Sequence, residues 1–248
     1  MIVYGINPVL EALRAGRAKE VRIAATAAGG RASNDRLHQV VELANGQGVR
    51  VRRVPPDVLD RDAQRGVHQG VVAEVAEVVS YSVAELVRGA AAAPLIVVLD
   101  GIEDPHNLGA ILRTADAAGA DGIVLQTRRS AALGGAAAKA SAGAVAHVKI
   151  AEVVNIARAV EELKDLGVWT VGLAGDADTA YDAIDFTLPS AVVLGAEGEG
   201  LRRLVRERCD RLAAIPMHGH VGSLNVSVAA GITLFEAVRQ RRAGKGRA

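Results

Sequence analysis

Val192-Val193-Leu194-Gly195-Ala196-Glu197-Gly198-Glu199-Gly200-Leu201 is a short apolar run that stops in three glycines, spaced three and two apart. An apolar run of that length, without polar alternation, reads as a strand buried on both faces. The glycines read as a tight turn at its C-terminal end. Neither the dinucleotide-binding fingerprint nor the phosphate-binding loop has this spacing, and Glu197 and Glu199 would repel a pyrophosphate. A carboxylate-bearing glycine turn better suits a neutral or cationic ligand, such as a nucleoside with a sulfonium centre. A plain strand-to-helix turn would need no ligand at all.

Outward from this stretch, strands and helices alternate. Strands are expected at 95–100, 122–126, 168–173, 191–195 and 211–215, and helices at 107–118, 133–144, 155–166, 201–208 and 224–241. That order implies an α/β fold with a parallel sheet and helices on both faces. Residues 1–75 read as a separate small α/β domain: helix, strand, helix, strand, helix, strand. Asn7-Pro8 opens its first helix, with Pro where a missing N–H is harmless. Strands follow at Glu20–Ala25, Val49–Val54 and Gly70–Val75, with a helix capped by Ser33 or Asn34 between the first two. Residues 76–93 read as a linker with one helical turn at Val83–Val87, 94–242 as the main domain, and 243–248 as a basic tail.

Composition narrows the function classes. Half of the 248 residues are hydrophobic but only 2% aromatic, which suits Val/Leu/Ile sheets under Ala-rich helices. The lone cysteine, Cys209, excludes an internal disulfide framework and a cysteine zinc cluster. Met1–Leu13 lacks the basic and apolar segments of a secretory leader, and runs such as Pro94–Leu99 are too short to span a bilayer. The expectation is a cytoplasmic protein without membrane contact. Residues 1–75 hold 11 Lys/Arg against 8 Asp/Glu, and the remainder 18 against 20. Arg50, Arg52 and Arg53 could meet phosphates, although a solvated strand face explains them equally well.

Two further segments sit at C-terminal strand ends, the edge where open parallel sheets bind ligands. In Asp100-Gly101-Ile102-Glu103-Asp104-Pro105-His106-Asn107-Leu108-Gly109, Asn107 is a good helix N-cap, and Arg113 lies six residues further on. An ordinary capped helix explains this segment alone. In Ile215-Pro216-Met217-His218-Gly219-His220-Val221-Gly222-Ser223-Leu224-Asn225, Ser223 and Asn225 stand at a helix entrance, where they can cap or hold a ligand. His218 and His220, two apart in a loop without cysteine, do not make a metal pattern, and no metal is expected.

Together the three segments resemble the three motifs of the SpoU branch of the SPOUT methyltransferases, over residues 94–242. The strings Asp104–Gly109 with Arg113, Gly195–Gly200, and Ser223–Ala229 carry that resemblance. Val3-Tyr4-Gly5-Ile6-Asn7-Pro8-Val9 and Val67-His68-Gln69-Gly70-Val71 resemble the small N-terminal domain of its ribosomal-RNA-directed members, akin to RNA-binding ribosomal proteins. The resemblance implies a C-terminal trefoil knot, an exception to the unknotted rule, and a homodimer in which both subunits line each site and the last helix joins the interface. It implies S-adenosylmethionine as cofactor, held around Leu173, Ala174, Gly195, Glu197, Gly198, Ile215, Met217, Ser223 and Leu224. The implied reaction is methyl transfer to a ribose 2′-hydroxyl of ribosomal RNA, a guanosine in the peptidyl-transferase region of 23S rRNA. A tRNA 2′-O-methyltransferase and a non-catalytic RNA-binding assembly factor are the alternatives. The positions Asn107, Arg113, Glu197, Ser223 and Asn225 match functional ones. An arginine pKa of roughly 12 or more argues against Arg113 as a literal base, so its expected part is to stabilise a phosphate or alkoxide. Asn107 is expected to orient Arg113 or the ribose, Ser223 and Asn225 to position substrate, and Glu197 to orient the loops or the arginine.

Overall fold

The computed structural model describes residues 1–14, 17–25, 31–76, 81–127, 133 and 135–245. The chain divides into two compact units, Met1–Val78 with Ala132–His147, and Val79–Ala131 with Val148–Ala248.

The first unit is a four-stranded sheet with helices. Its elements are β1 (Ile2–Tyr4), α1 (Ile6–Arg14), β2 (Ala18–Ala24), α2 (Arg31–Gly46), β3 (Arg50–Val54), α3 (Pro56–Asp62) and β4 (Val71–Val75). The sheet order is β1-β4-β2-β3. Only β2 and β3 run parallel, and β4 is antiparallel to both β1 and β2. The three-residue β1 was not expected, because so short a run carries no periodicity. Helix α2 begins at Arg31, so neither Ser33 nor Asn34 is its cap.

On β2, Val21 and Ile23 are buried, while Arg22 points to the other face. There its guanidinium meets Glu20, Asp62 and Glu74 at 2.7, 2.6 and 3.2 Å. Arg22 is therefore committed within its own domain and is not a free phosphate ligand. Arg50, Arg52 and Arg53 are exposed on β3, and Arg52 lies 3.8 Å from Glu20.

Helix α6 (Gly135–Ala140) and a 3₁₀ turn at Ala144–Ala146 also belong to this first unit, where Arg17 donates to the Val145 carbonyl at 3.1 Å. A single helix over 133–144 was expected. It is cut short because Ala142 and Gly143 take left-handed φ values of 52° and 97°, which no α-helix accommodates.

The second unit contains α4 (Val83–Arg88), β5 (Leu95–Asp100), α5 (Pro105–Ala118), β6 (Gly122–Gln126), β7 (Ile150–Val153), α7 (Ile156–Asp165), β8 (Trp169–Leu173), β9 (Ser190–Gly195), α8 (Arg203–Arg208), β10 (Arg211–Ala213) and α9 (Val226–Lys245). Its sheet, ordered β10-β8-β9-β5-β6-β7, is parallel throughout. Ile96 and Val98 pack with α4, α7 and α8 on one face. The alternate residues, Val97 and Leu99, are buried on the other, where α5 and α9 lie together.

Strand β7 was not expected, since its four residues, with Glu152 among them, are too few to show a period. β10 ends at Ala213 rather than 215. Ala214 makes one isolated bridge to Ala180, and Pro216 has no N–H to continue a ladder. Helix α4 is more than a linker turn. Ser82 Oγ accepts from the Glu85 N–H at 3.2 Å, and the Glu85 carboxylate accepts from the Ser82 N–H at 2.8 Å. This reciprocal cap lets Val83 and Leu86 enter the core.

Helix α9 runs through Lys245, past the start expected for a tail at 243; residues 246–248 lie outside the described residues. The half-buried Arg241 holds it in place, donating to the carbonyls of Phe186, Ala93, Pro94 and Leu188 at 2.8, 2.6, 2.9 and 3.1 Å. No described helix is long and apolar enough to cross a membrane.

Burial pushes the Cys209 thiol up to about 12, so at pH 8 it is almost wholly protonated and a poor nucleophile. The folded protein is expected to resist iodoacetamide at pH 8, and the urea-unfolded chain to react readily. Equal labelling rates in the two states would contradict that burial.

Candidate active site

The three sequence motifs converge at the C-terminal edge of the second unit's sheet. Strand β9 ends at Gly195, directly across from Asp100 at the end of β5. The chain then turns sharply. Ala196 and Gly200 exchange backbone hydrogen bonds of 3.1 and 2.9 Å, and Gly198 and Gly200 take φ values of 80° and 71°, a region that L side chains enter at a cost. Gly195 is needed for another reason. A Cβ there would lie 2.1 Å from the Gly200 carbonyl carbon and 2.3 Å from the Leu201 nitrogen. The chain crosses itself at a separation that only glycine permits.

This loop forms one wall of a cavity of about 540 Å³, within the range of small-molecule sites. Leu173 and Ala174 at the end of β8, Ile215 and Met217 after β10, and Ser223 and Leu224 before α9 supply other walls, with Gly195, Glu197 and Gly198 from the loop. All nine positions named for the cofactor therefore line one cavity. Its walls are mainly aliphatic side chains and glycine backbone, with the acidic groups of Asp176, Glu197 and Glu199 and the cationic Arg206. That donor set is compatible with a nucleoside carrying a positive sulfonium.

Asn107 is not the N-cap of α5. Asp104 holds that place, its carboxylate accepting from the His106 N–H at 2.8 Å, with Pro105 at the first helical position, where proline is favoured. This leaves the Asn107 side chain, only 8% exposed, to face the other motifs. Its Nδ2 donates to Glu197 Oε2 at 2.9 Å, and its Oδ1 accepts from Asn225 Nδ2 at 3.0 Å. Asn225 Oδ1 in turn accepts from the Ser227 N–H at 2.9 Å and the Ser227 hydroxyl at 2.6 Å, capping α9. One hydrogen-bonded chain thus joins all three motifs, and its direction fixes the Asn107 amide. Asn107 bonds Glu197 and Asn225, and of the two expected partners, Arg113 or the ribose, Arg113 is not among its hydrogen bonds. Arg113 itself is exposed on α5, is not on the cavity wall, and makes no hydrogen bond or ion pair to a described residue. Ser223 lies on the wall, three residues before α9.

Two residues important to this geometry were missed. Asp100 is fully buried and accepts from the Arg202 N–H at 2.8 Å and from Arg202 Nε at 2.6 Å. Arg202 Nη2 also donates to Gln126 Oε1 at 2.8 Å, so one guanidinium ties the end of the glycine loop to β5 and β6. A carboxylate closing the apolar run Leu95–Asp100 was the available signal. Among the described residues no cluster of three or more His, Cys, Asp or Glu side chains could hold a metal ion.

A family model described as the SpoU rRNA Methylase family matches residues 94–235. The chain belongs to the SpoU rRNA methylase family. A second model, RNA 2′-O ribose methyltransferase substrate binding, matches residues 2–79. The chain is 44% identical over 244 residues to the 23S rRNA (guanosine-2′-O-)-methyltransferase RlmB of Xylella fastidiosa, covering 96% of each. It is 44% identical over 242 residues to the RlmB of Pseudomonas aeruginosa, again covering 96% of each. Among solved structures, the SpoU methyltransferase AviRb from Streptomyces viridochromogenes, in complex with the cofactor AdoMet, matches with a TM-score of 0.79 at 25% identity, covering 98% of this chain and 91% of that one. The SpoU family accounts for the second unit's parallel sheet and for the small domain that precedes it.

Proposed function

We propose that the protein transfers a methyl group from S-adenosylmethionine to a ribose 2′-hydroxyl of ribosomal RNA, a guanosine in the peptidyl-transferase region of 23S rRNA. The observation that carries this reading is the single cavity lined by all three motifs, with the Glu197–Asn107–Asn225 chain binding them together. The cofactor, when bound, supplies an electrophilic methyl on a sulfonium.

The rest is the work of this chain. A ribose hydroxyl is a weak nucleophile whose proton must leave as the new bond forms. Arg113, cationic and without a protein partner among the described residues, stabilises the developing alkoxide or the neighbouring phosphate. Ser223, on the wall and hydrogen-bonded to no described residue, offers its hydroxyl to substrate. Asn107 and Glu197 hold the loops at fixed separation, which gives the orientation that can supply much of a rate enhancement.

Several features support a homodimer with a knotted core. Val228 and Phe235, about half exposed on α9, lie on one helical stripe with Ile232 and suit a second copy. Such a copy would bring Arg113 to a site whose wall it does not reach within one chain. The run from β10 through the 214–225 loop to α9, which packs on α5 and β9, is compatible with a threaded chain. A ribosomal substrate implies a cytoplasmic protein.

The test is labelled methyl transfer to unmodified 23S rRNA and to unmodified tRNA. Label is expected on a 23S ribose, and Arg113→Ala is expected to lower the rate on the order of a hundredfold, as for other electrostatic donors. Label on tRNA alone would replace the substrate. No label together with no cofactor binding would leave the RNA-binding assembly factor in front.

A further inference from the structure

The rim of the cofactor cavity carries a charge pair with no part in the scheme above. Asp176 follows β8 just after Ala174 and Gly175, and Arg206 lies on α8; both line the cavity. Arg206 Nη1 donates to Asp176 Oδ1 at 2.8 Å, and Nη2 to Oδ2 at 3.0 Å. Hydrogen bonding to Arg206 holds the Asp176 carboxyl below the usual carboxylate range, and the same contact pushes Arg206 up. Both therefore stay charged through neutral pH.

Among the described residues, Arg206 is the only lysine or arginine on that wall; the other charged side chains there are acidic. Aliphatic groups and glycine backbone suit the adenine, ribose and thioether portion of a nucleoside. Backbone N–H groups on that wall can donate to a carboxylate, but among its described residues only Arg206 brings a positive charge, and charge-assisted pairing is the stronger contact. The side chains of Arg206 and Asp176 are 37% and 71% exposed, so their mutual attraction is screened and the pair opens at little cost.

We propose that Asp176 and Arg206 form the subsite for the amino-acid end of the cofactor. The Arg206 guanidinium receives the α-carboxylate through two parallel N–H bonds, and the Asp176 carboxylate accepts from the α-ammonium. One ion pair opens and two form, so the four charges remain balanced. No covalent step is involved. The proposal rests on the cavity being the S-adenosylmethionine site, and it predicts selectivity for the zwitterion rather than for the nucleoside.

S-adenosylhomocysteine and 5′-methylthioadenosine share the nucleoside and differ in the amino-acid end, which makes them the probes. Their dissociation constants are measured by calorimetry on the full chain, for wild type, Arg206→Met, Arg206→Lys and Asp176→Asn, with thermal melts to establish folding. Arg206→Met is expected to weaken S-adenosylhomocysteine about tenfold to a hundredfold, the range for a lost charge-assisted contact, and to leave 5′-methylthioadenosine within about twofold of wild type. Arg206→Lys should recover part of the loss, because it keeps the charge but not the fork. Asp176→Asn should weaken S-adenosylhomocysteine alone, and less. Parallel losses for both probes, or no loss for either, would overturn the subsite while leaving the cofactor cavity standing. A folded wild-type protein that binds neither probe would overturn the cofactor reading, and this subsite with it.

Discussion

Gly195→Ala is expected to abolish cofactor binding. The added methyl would meet three backbone atoms, the carbonyl carbon and oxygen of Gly200 and the nitrogen of Leu201, at 2.1, 2.3 and 2.3 Å. A flexible side chain could swing away from such a clash, but backbone held at both ends cannot. One end is fixed by the β9 pairing of Gly195 opposite Asp100, and the other by the grip of Asp100 on Arg202. The loop can only yield by breaking the Ala196–Gly200 bridge and moving the cavity wall. Calorimetry with S-adenosylmethionine should show a dissociation constant raised more than about a hundredfold, equivalent to about 2.7 kcal/mol. Gly219→Ala is the control, since a Cβ there meets nothing within 4 Å. Cofactor binding by Gly195→Ala within a few-fold of wild type would show that the crossing is not rigid.

The second unit's fold was largely legible because its central strands are locally unambiguous. Leu95–Asp100 and Gly122–Gln126 form strands with the expected bounds, each a closed apolar run between turn residues. Strand β7 escaped because Ile150–Val153 is four residues long with Glu152 inside it, too short a stretch to show a period, although Asn155 marks the start of α7. The grouping of Ala132–His147 with the first unit depends on contacts across more than a hundred residues, and no local pattern encodes it.

The site shows the same division. The glycines and carboxylates of 195–200 pointed to a ligand-bearing turn, and that turn forms a cavity wall. What Gly195 touches could not be read, since its neighbour is another part of the same loop. Asn107 was the expected cap of α5. Pro105, which takes the first helical position, decides for Asp104 and frees Asn107 for the chain to Glu197 and Asn225. That consequence was available in the sequence. The partners themselves, 90 and 118 residues away, were not.

The Asp100–Arg202 pair, 102 residues apart, leads to the other large expectation. Arg202→Met should remove the guanidinium, with its Nε and Nη2 contacts, and leave a fully buried carboxylate with only the backbone N–H of residue 202. Breaking one side of a buried ion pair costs about 3–5 kcal/mol. Because the Arg202 side chain is 40% exposed, water can enter the vacated space, and the lower end, about 3 kcal/mol, is expected. For a chain of this size that corresponds to a fall in Tm on the order of 10 °C. Adding Asp100→Asn to Arg202→Met should restore more than half of the loss, since the amide oxygen can still accept the backbone N–H and no charge is left buried. Cofactor affinity should follow the same order, lowest in the single variant, because residue 202 anchors the loop whose glycines form the cavity wall. Thermal melts and S-adenosylmethionine titrations on the two variants decide the matter. If the two substitutions simply add, each worsening the melt, the buried charge is not the cause, and Arg202 acts through packing along its own stem.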